Sequence, residues 1–200
     1  MNYPSLPYLF YDGPRAVITV HSGARIDLLH PNPEQIVIDD IAHALSRINR
    51  FGGATVRTYT VAEHLLLGLE QIAPAHRLRW MCHDFAEAYL GDVVGPLKRA
   101  ACMSGYRELE ERWERAIAQR FGVPAGGARE VATVDGRMLA TELRDLMGIA
   151  PLSTDRYRPY ALRIGMQEPS ADWLKQTLLA TMRGLQRARP LFVEVPERAR

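Results

Sequence analysis

Trp80-Met81-Cys82-His83-Asp84-Phe85-Ala86-Glu87-Ala88-Tyr89-Leu90-Gly91 is the stretch on which the reading of this chain turns. Its side chains are mostly apolar, Pro74 suits the first turn of a helix leading into it, and Gly91 is a stop signal. A helix is therefore predicted over 74–90. Inside that apolar run stand an imidazole and a carboxylate side by side, His83 and Asp84. A buried carboxylate stays ionised only beside a cation or several donors, so Asp84 needs a partner from elsewhere in the chain. Glu87 follows His83 by four positions and Asp84 by three, which puts all three on roughly one helical face. One helix would then offer an imidazole and two carboxylates toward one point.

Working outward, the preceding apolar segment supplies a second imidazole. Tyr59-Thr60-Val61-Ala62-Glu63-His64 opens on a capping-box pattern, Thr60 and Glu63 satisfying each other's amides, and predicts a helix to about residue 72. His64 is set among Val61, Leu65, Leu66 and Leu67, and the short connection around Pro74 implies that the two helices pack antiparallel. Downstream, a helix over 129–147 carries Asp135 between Val131, Val134, Met138 and Leu139, on what reads as a core face. An aspartate there again asks for a cationic partner. Two imidazoles and two carboxylates suit a borderline divalent ion such as Mn, Co, Fe, Ni or Zn.

The rest of the chain reads as mainly α, a single helical bundle with a small N-terminal β-hairpin. Pro4, Pro7 and Pro14 break helices; residues 16–20 and 25–29 read as strands around the Ser22-Gly23 turn, ending at Pro31-Asn32-Pro33. Ile38, Ile41, Ala42, Leu45 and Ile48 predict a helix over 36–49, stopped by Gly52-Gly53. Residues 91–98 read as a loop and 104–121 as a helix. An irregular stretch with Pro151, Pro159 and Pro169 follows, then a helix capped by Ser170 and running to about residue 187, then a loose tail from Pro190. The apolar face of that last helix, with Trp173, Leu174, Leu178, Leu179 and Met182, is either ordinary core or an interface between copies. One domain spans 1–200, with an N-terminal segment to 33, a core over 34–147 and a C-terminal part from 148.

Composition bounds the function. The 200 residues are 47% hydrophobic and 24% charged, ordinary usage for a chain long enough to close one core. That excludes a disordered chain, a collagen-like repeat and a disulfide-stapled miniprotein. With 25 basic and 23 acidic residues the net charge is +2, so no nucleic-acid polymer or acidic membrane is expected as partner. Cys82 and Cys102 are too few for a disulfide framework and lack metal-ribbon spacing, which leads us to expect a reducing, cytoplasmic setting. Residues 1–10 lack the pattern of a secretory signal, and Leu65-Leu66-Leu67-Gly68-Leu69 falls far short of the roughly 20 residues that span a bilayer.

His64, then His83-Asp84 nineteen positions later, then Asp135, resembles the H…HD…D signature of the HD-domain metal-dependent phosphohydrolases. The stretches from Tyr59 to His64 and from His83 to Asp92 are similar to the compact subgroup that contains bacterial 5'-deoxynucleotidases and phage deoxynucleoside (dATP-type) triphosphohydrolases. Pro96-Leu97-Lys98 fits that subgroup's loop after the HD helix, and the likeness spans about 36–147. It implies one divalent ion held by His64, His83, Asp84 and Asp135, with Mg arriving only alongside a polyphosphate. Two-metal members need further histidines. Here only His43 and His76 remain in the helical part, read as a core or ligand-supporting residue and as a solvent-facing one.

The resemblance also implies roles. Glu87 would orient the attacking water or shuttle its proton, and Arg50 would contact phosphate and that water. Asp92 would hydrogen-bond the sugar or fix Arg50; its plainer reading is a helix-end turn. Phe51 would stack a base or simply join the core, and Gly53 and Pro96 would shape the base pocket. Lys98 would reach a phosphate, or else be a surface lysine. The activity implied is removal of phosphate from deoxynucleotides by a metal-activated water, a 5'-deoxynucleotidase first and a dNTP triphosphohydrolase as the alternative. Cyclic-dinucleotide hydrolysis is weakened by the missing histidines. A non-catalytic nucleotide-sensing module is opposed by the intact set of His64, His83, Asp84, Asp135 and Glu87. Enzymes of this kind are commonly homo-oligomers, dimers or higher.

Overall fold

The β-branched run 17–20 and Ile26, on either side of the Ser22-Gly23 turn, make an antiparallel hairpin. Strands β1 (Val17–Thr19) and β2 (Arg25–Asp27) pair with Ile18 opposite Ile26. The computed structural model describes residues 16–150, 152 and 156–188. The remainder of the chain beyond the hairpin is mainly helical, as the periodicity predicts. Pro4, Pro7, Pro14, Pro151 and the tail from Pro190 lie outside the described residues, as does the stretch 1–10. The hairpin is fastened to the helical body by Asp40, whose carboxylate accepts the Ser22 amide at 2.7 Å and its hydroxyl at 2.9 Å.

The helices are α1 (Ile38–Leu45), α2 (Val61–Leu69), α3 (Arg77–Cys82), α4 (Glu87–Leu90), α5 (Gly95–Lys98), α6 (Ser104–Phe121), α7 (Ala128–Leu146) and α8 (Ala171–Arg187). Helix α8 packs on α1, α2 and α3. Its Leu174, Leu178, Leu179 and Met182 are buried with Ile41, Leu45, Leu65 and Trp80 in one core, so that apolar face is core; only Trp173 remains outside, 57% exposed. Ser170 caps α8 by accepting the Trp173 amide. Among the described residues no helix is long and apolar enough to cross a membrane.

Three departures from the sequence pattern shape the site. First, α1 ends at Leu45 and not at 49, because the backbone beyond it is captured by the strand-like lead into α2. Asn49 bridges Thr60 antiparallel, the Arg50 amide donates to the Tyr59 carbonyl at 2.9 Å, and the Val61 amide donates to Ile48 at 3.0 Å. Arg50 is thereby fixed beside the start of α2. Second, the helix predicted over 74–90 tightens at its centre. The amides of His83, Phe85 and Glu87 bond carbonyls three residues back, at 3.3, 3.3 and 3.1 Å. The Trp80 carbonyl, which an α-helix would give to Asp84, is taken by the His83 amide and by His83 Nδ1 at 2.6 Å. At three residues per turn, Asp84 and Glu87 eclipse each other. Third, the 91–98 loop contains a helical turn of its own, α5, with Pro96 in its first turn.

The capping box at α2 is half-formed. Thr60 Oγ1 accepts the Glu63 amide, but the Glu63 carboxylate turns to the buried Arg57 guanidinium, at 2.6 and 2.9 Å. The described residues of the stretch before α8, read as irregular, form no helix or strand but are tied down. Arg144 donates to the carbonyls of Tyr160 and Leu162, the Ile164 amide donates to Asp145, and Arg57 donates to the Gly165 carbonyl.

Candidate metal centre

His64 projects from α2 into complete burial, with no exposed surface. Its Nδ1 lies 2.6 Å from Glu142 Oε1, and Glu142 is likewise fully buried. Glu142 also accepts the Tyr59 hydroxyl at 2.9 Å and Arg50 Nη2 at 3.2 Å. Burial alone would raise the Glu142 carboxyl, yet Arg50, followed by the His64 and Tyr59 contacts, holds it down at about 2. An ionised acceptor at that distance fixes the hydrogen of His64 on Nδ1. The Trp80 carbonyl does the same for His83. In the neutral imidazoles that leaves the lone pair on Nε2, and both Nε2 atoms are buried with no hydrogen-bond partner.

The two lone pairs converge on carboxylates. His83 Nε2 is 3.2 Å from Asp84 Oδ1, and His64 Nε2 is 3.6 Å from Asp84 Oδ2 and 3.5 Å from Asp135 Oδ1. Donor atoms of His64, His83 and Asp84 all lie within 4.8 Å of one another. A cation with bonds of about 2.0–2.2 Å holds adjacent tetrahedral or octahedral donors roughly 3–3.6 Å apart. The group can hold a metal ion, and it would satisfy both orphaned nitrogens at once. Direct imidazole–carboxylate hydrogen bonds would not, since the His64 separations exceed hydrogen-bond range. Trp80 braces the imidazoles, its ring centroid 5.2 Å from that of His64 and 4.5 Å from that of His83, while its Nε1 donates to the Leu65 carbonyl at 2.7 Å. A Cβ at Gly68 would overlap the Trp80 indole, so only glycine admits that ring against α2.

No protein-family profile matches the chain. It is 38% identical over 148 residues to an uncharacterized protein of Rhodobacter capsulatus, an alignment covering 68% of this chain and 75% of that one. The chain belongs to that protein's family. It is also 38% identical over 115 residues to YfdR, an uncharacterized protein of Escherichia coli K12, covering 58% of this chain and 64% of YfdR. These likenesses establish kinship and carry no chemistry of their own.

Among the residues singled out from sequence, His64, His83 and Asp84 meet at one point, and Asp135 approaches it with Oδ1 3.5 Å from His64 Nε2. Asp135 does so from a partly open position, its side chain 43% exposed, at the edge of a face whose Val131, Val134 and Met138 are buried in the core while Leu139 is exposed. Arg50 joins the cluster through Asp84 Oδ2 at 3.4 Å as well as through Glu142. Burial opposes its charge, but Glu142 and Asp84 together raise the guanidinium pKa. Glu87 is buried beside Asp84, with Oε2 unpartnered; burial first, then Asp84 and Asp92, push its carboxyl well up. Asp92 accepts the backbone amide of Phe51, and burial raises its carboxyl too.

Phe51 takes a left-handed backbone (φ 58°) and packs on the cluster of Tyr59, Leu146 and Ile164, with the Arg50 guanidinium 5.6 Å from its ring. Gly53, also at positive φ, and Pro96 are exposed. Lys98 is not a free surface lysine: Nζ donates to Glu110 at 2.6 Å and lies 4.0 Å from Glu87 Oε1. His43 stays out of the cluster and stacks on His21, centroids 3.6 Å apart, while His76 is half-buried at the start of α3. Two participants escaped sequence reasoning, Glu142 and Tyr59. Glu142 lies seven residues after Asp135, two turns along the same face of α7. A cleft of about 310 Å³ opens beside His83, Asp84 and Asp135, between α3, α6 and α7.

Proposed function

We propose that this chain is an HD-type, divalent-metal-dependent phosphohydrolase that removes the phosphate from deoxynucleoside 5'-monophosphates. One observation carries the reading: two imidazoles, His64 buried and His83 half-buried, have Nδ1 committed to an acceptor and a buried, partnerless Nε2 turned toward the Asp84 and Asp135 carboxylates. A bound divalent ion would supply Lewis acidity to a phosphoryl oxygen and lower the pKa of water.

The chain's own residues do the rest. Arg50 is held rigidly by Asp84 and Glu142, and its buried Nε has no partner, leaving a donor for a phosphate oxygen. Glu87, buried and with a free carboxylate oxygen, takes a proton from the attacking water and returns one to the departing ester oxygen. The P–O ester bond breaks as the water oxygen bonds phosphorus, and orthophosphate and nucleoside leave. Asp92, anchored to the Phe51 amide, holds the Arg50–Gly53 turn in register.

The test is a product assay on metal-stripped protein reloaded with Co, Mn or Mg. Each deoxy- and ribonucleoside mono-, di- and triphosphate is incubated with it and resolved by chromatography. Orthophosphate and nucleoside from deoxynucleoside monophosphates, only with metal, is the expected result. Tripolyphosphate release would move the chain to triphosphate hydrolysis. No hydrolysis across the panel by metal-loaded protein would overturn the reading in favour of a sensing module.

A further inference from the structure

We propose that the stacked His21–His43 pair is an acid-sensitive latch, which holds the N-terminal hairpin on α1 at neutral pH and releases it when both imidazoles take up protons. His21 stands at the hairpin turn and His43 in the last turn of α1. Their rings lie face to face, centroids 3.6 Å apart and planes 8° from parallel. Neutral rings attract there by dispersion, whereas two imidazolium rings repel. Parallel planes also set the in-plane lone pairs side by side, so one ion cannot lie in both. Among the described residues the pair joins no group of three donors able to hold a metal. Its chemistry is protonation.

The charges around the pair accept one proton and oppose a second. On α1, Asp39 and Asp40 precede His43 and Arg47 follows it by one turn; α8 brings Asp172 and Lys175. Asp40 is taken by the Ser22 amide and hydroxyl, and Asp172 pairs with Arg47 at 3.1 Å. Asp39 lies 3.9 Å from His21 Nε2, but it also accepts Lys175 Nζ at 2.9 Å. Of these carboxylates only Asp39 is left to a protonated ring, and Lys175 shares it. Burial first, then Arg47, His21 and Lys175, outweigh Asp39 and lower the His43 imidazole pKa. A group whose pKa falls on docking favours the docked state above its free value, about 6.5. That contribution is lost as pH drops below it.

Release would reach beyond the turn. Two strands of three residues are not stable alone in water, so an undocked hairpin loses its own pairing. Its far end holds Trp113, whose Nε1 donates to the Leu28 carbonyl at 2.9 Å. The Trp113 ring stacks on Tyr89, centroids 4.0 Å apart, two residues past Glu87.

Amide exchange of the full chain, read by mass spectrometry and corrected for the intrinsic pH dependence of exchange, tests the latch. Between about pH 7.5 and about pH 5 imidazole is the ordinary side chain that changes charge. Protection over residues 17–28 of the native chain is expected to fall by about tenfold or more across that range. His43→Phe keeps a ring that takes no proton and can receive a protonated His21 on its face, so it should stay protected at the acid end. His21→Phe, at the exposed turn, repeats the test without altering α1. Native protection that does not change with pH, or a His21→Phe protein that loses it as the native chain does, would overturn the latch.

Discussion

The carboxylate of Glu142 accepts the Nδ1 hydrogen of His64 at 2.6 Å, both side chains fully buried. That contact decides which nitrogen of His64 is free, and so whether α2 can contribute a ligand at all. It also ties the cluster to Arg50 and Tyr59, which share the same carboxylate. Partners of this kind commonly change metal affinity by about 10–100-fold when removed. Glu142→Gln would present an amide donor to one of three donors, Arg50, Tyr59 or His64. We expect metal affinity to fall by about 10–100-fold in a chelator-competition titration, together with a lower melting temperature. An unchanged affinity would deny Glu142 its orienting role.

Asp84→Ala and Glu87→Ala should separate holding the metal from using it. Asp84 meets both imidazoles and Arg50, so its loss is expected to empty the centre and end turnover together. Glu87 meets none of the imidazole nitrogens, so Glu87→Ala is expected to keep the ion while hydrolysis drops by about 10²–10⁴-fold. Metal content and phosphate release, measured on the same preparations, check both. A fully active Glu87→Ala protein would make its proton-transfer role wrong.

Gly68→Ala probes the brace behind the imidazoles. The new methyl would meet the Trp80 indole, which is fully buried and hydrogen-bonded to Leu65, so it cannot swing clear without breaking that bond. Overpacking of this kind costs about 1–3 kcal/mol. Thermal unfolding of metal-free protein measures it without the contribution of ligand binding. A melting temperature equal to that of the native chain would show that the indole has room.

Much of this centre is legible in the sequence because its chemistry breaks local rules. His83-Asp84 inside an apolar helix and His64 inside another are conspicuous, since buried polar groups need partners. The fold class follows from periodicity at Ile38, Ile41, Ala42 and Leu45 and in α6 to α8, where helix bounds land within a residue or two of the pattern. What escapes is tertiary choice. Glu63 fits a capping box until Arg57, six residues earlier, competes for its carboxylate. Glu142 looks like one more helical glutamate, and only the three-dimensional meeting of α2 with α7 turns it inward. The tightening at His83 depends on a side chain claiming a backbone carbonyl, which residue spacing does not encode.

Asp145 gives the stability of the chain an acid limit. Arg144 hydrogen bonds, against the opposing effect of burial and with help from the Ile164 amide and Arg163, hold its carboxyl well below the ordinary carboxylate range. A carboxylate whose pKa is depressed on folding contributes stability that is complete above its unfolded value, about 3.9, and is lost as pH falls through the folded value. Asp145→Asn should lower stability at neutral pH and flatten its decline below about pH 4. Denaturant titrations of both proteins between neutral and acidic pH read the difference. Parallel curves would assign the acid limit to other carboxylates.

The most direct measurement is the metal stoichiometry of the purified full chain, native and Asp84→Ala side by side. Each is stripped with chelator, reloaded with Mn or Co, desalted and analysed by elemental mass spectrometry. The expected result is one ion per native chain and none above background in Asp84→Ala, with both proteins folded by circular dichroism. A native chain that retains no divalent ion, or two proteins that retain it equally, would contradict the assignment of His64, His83, Asp84 and Asp135 as a metal centre.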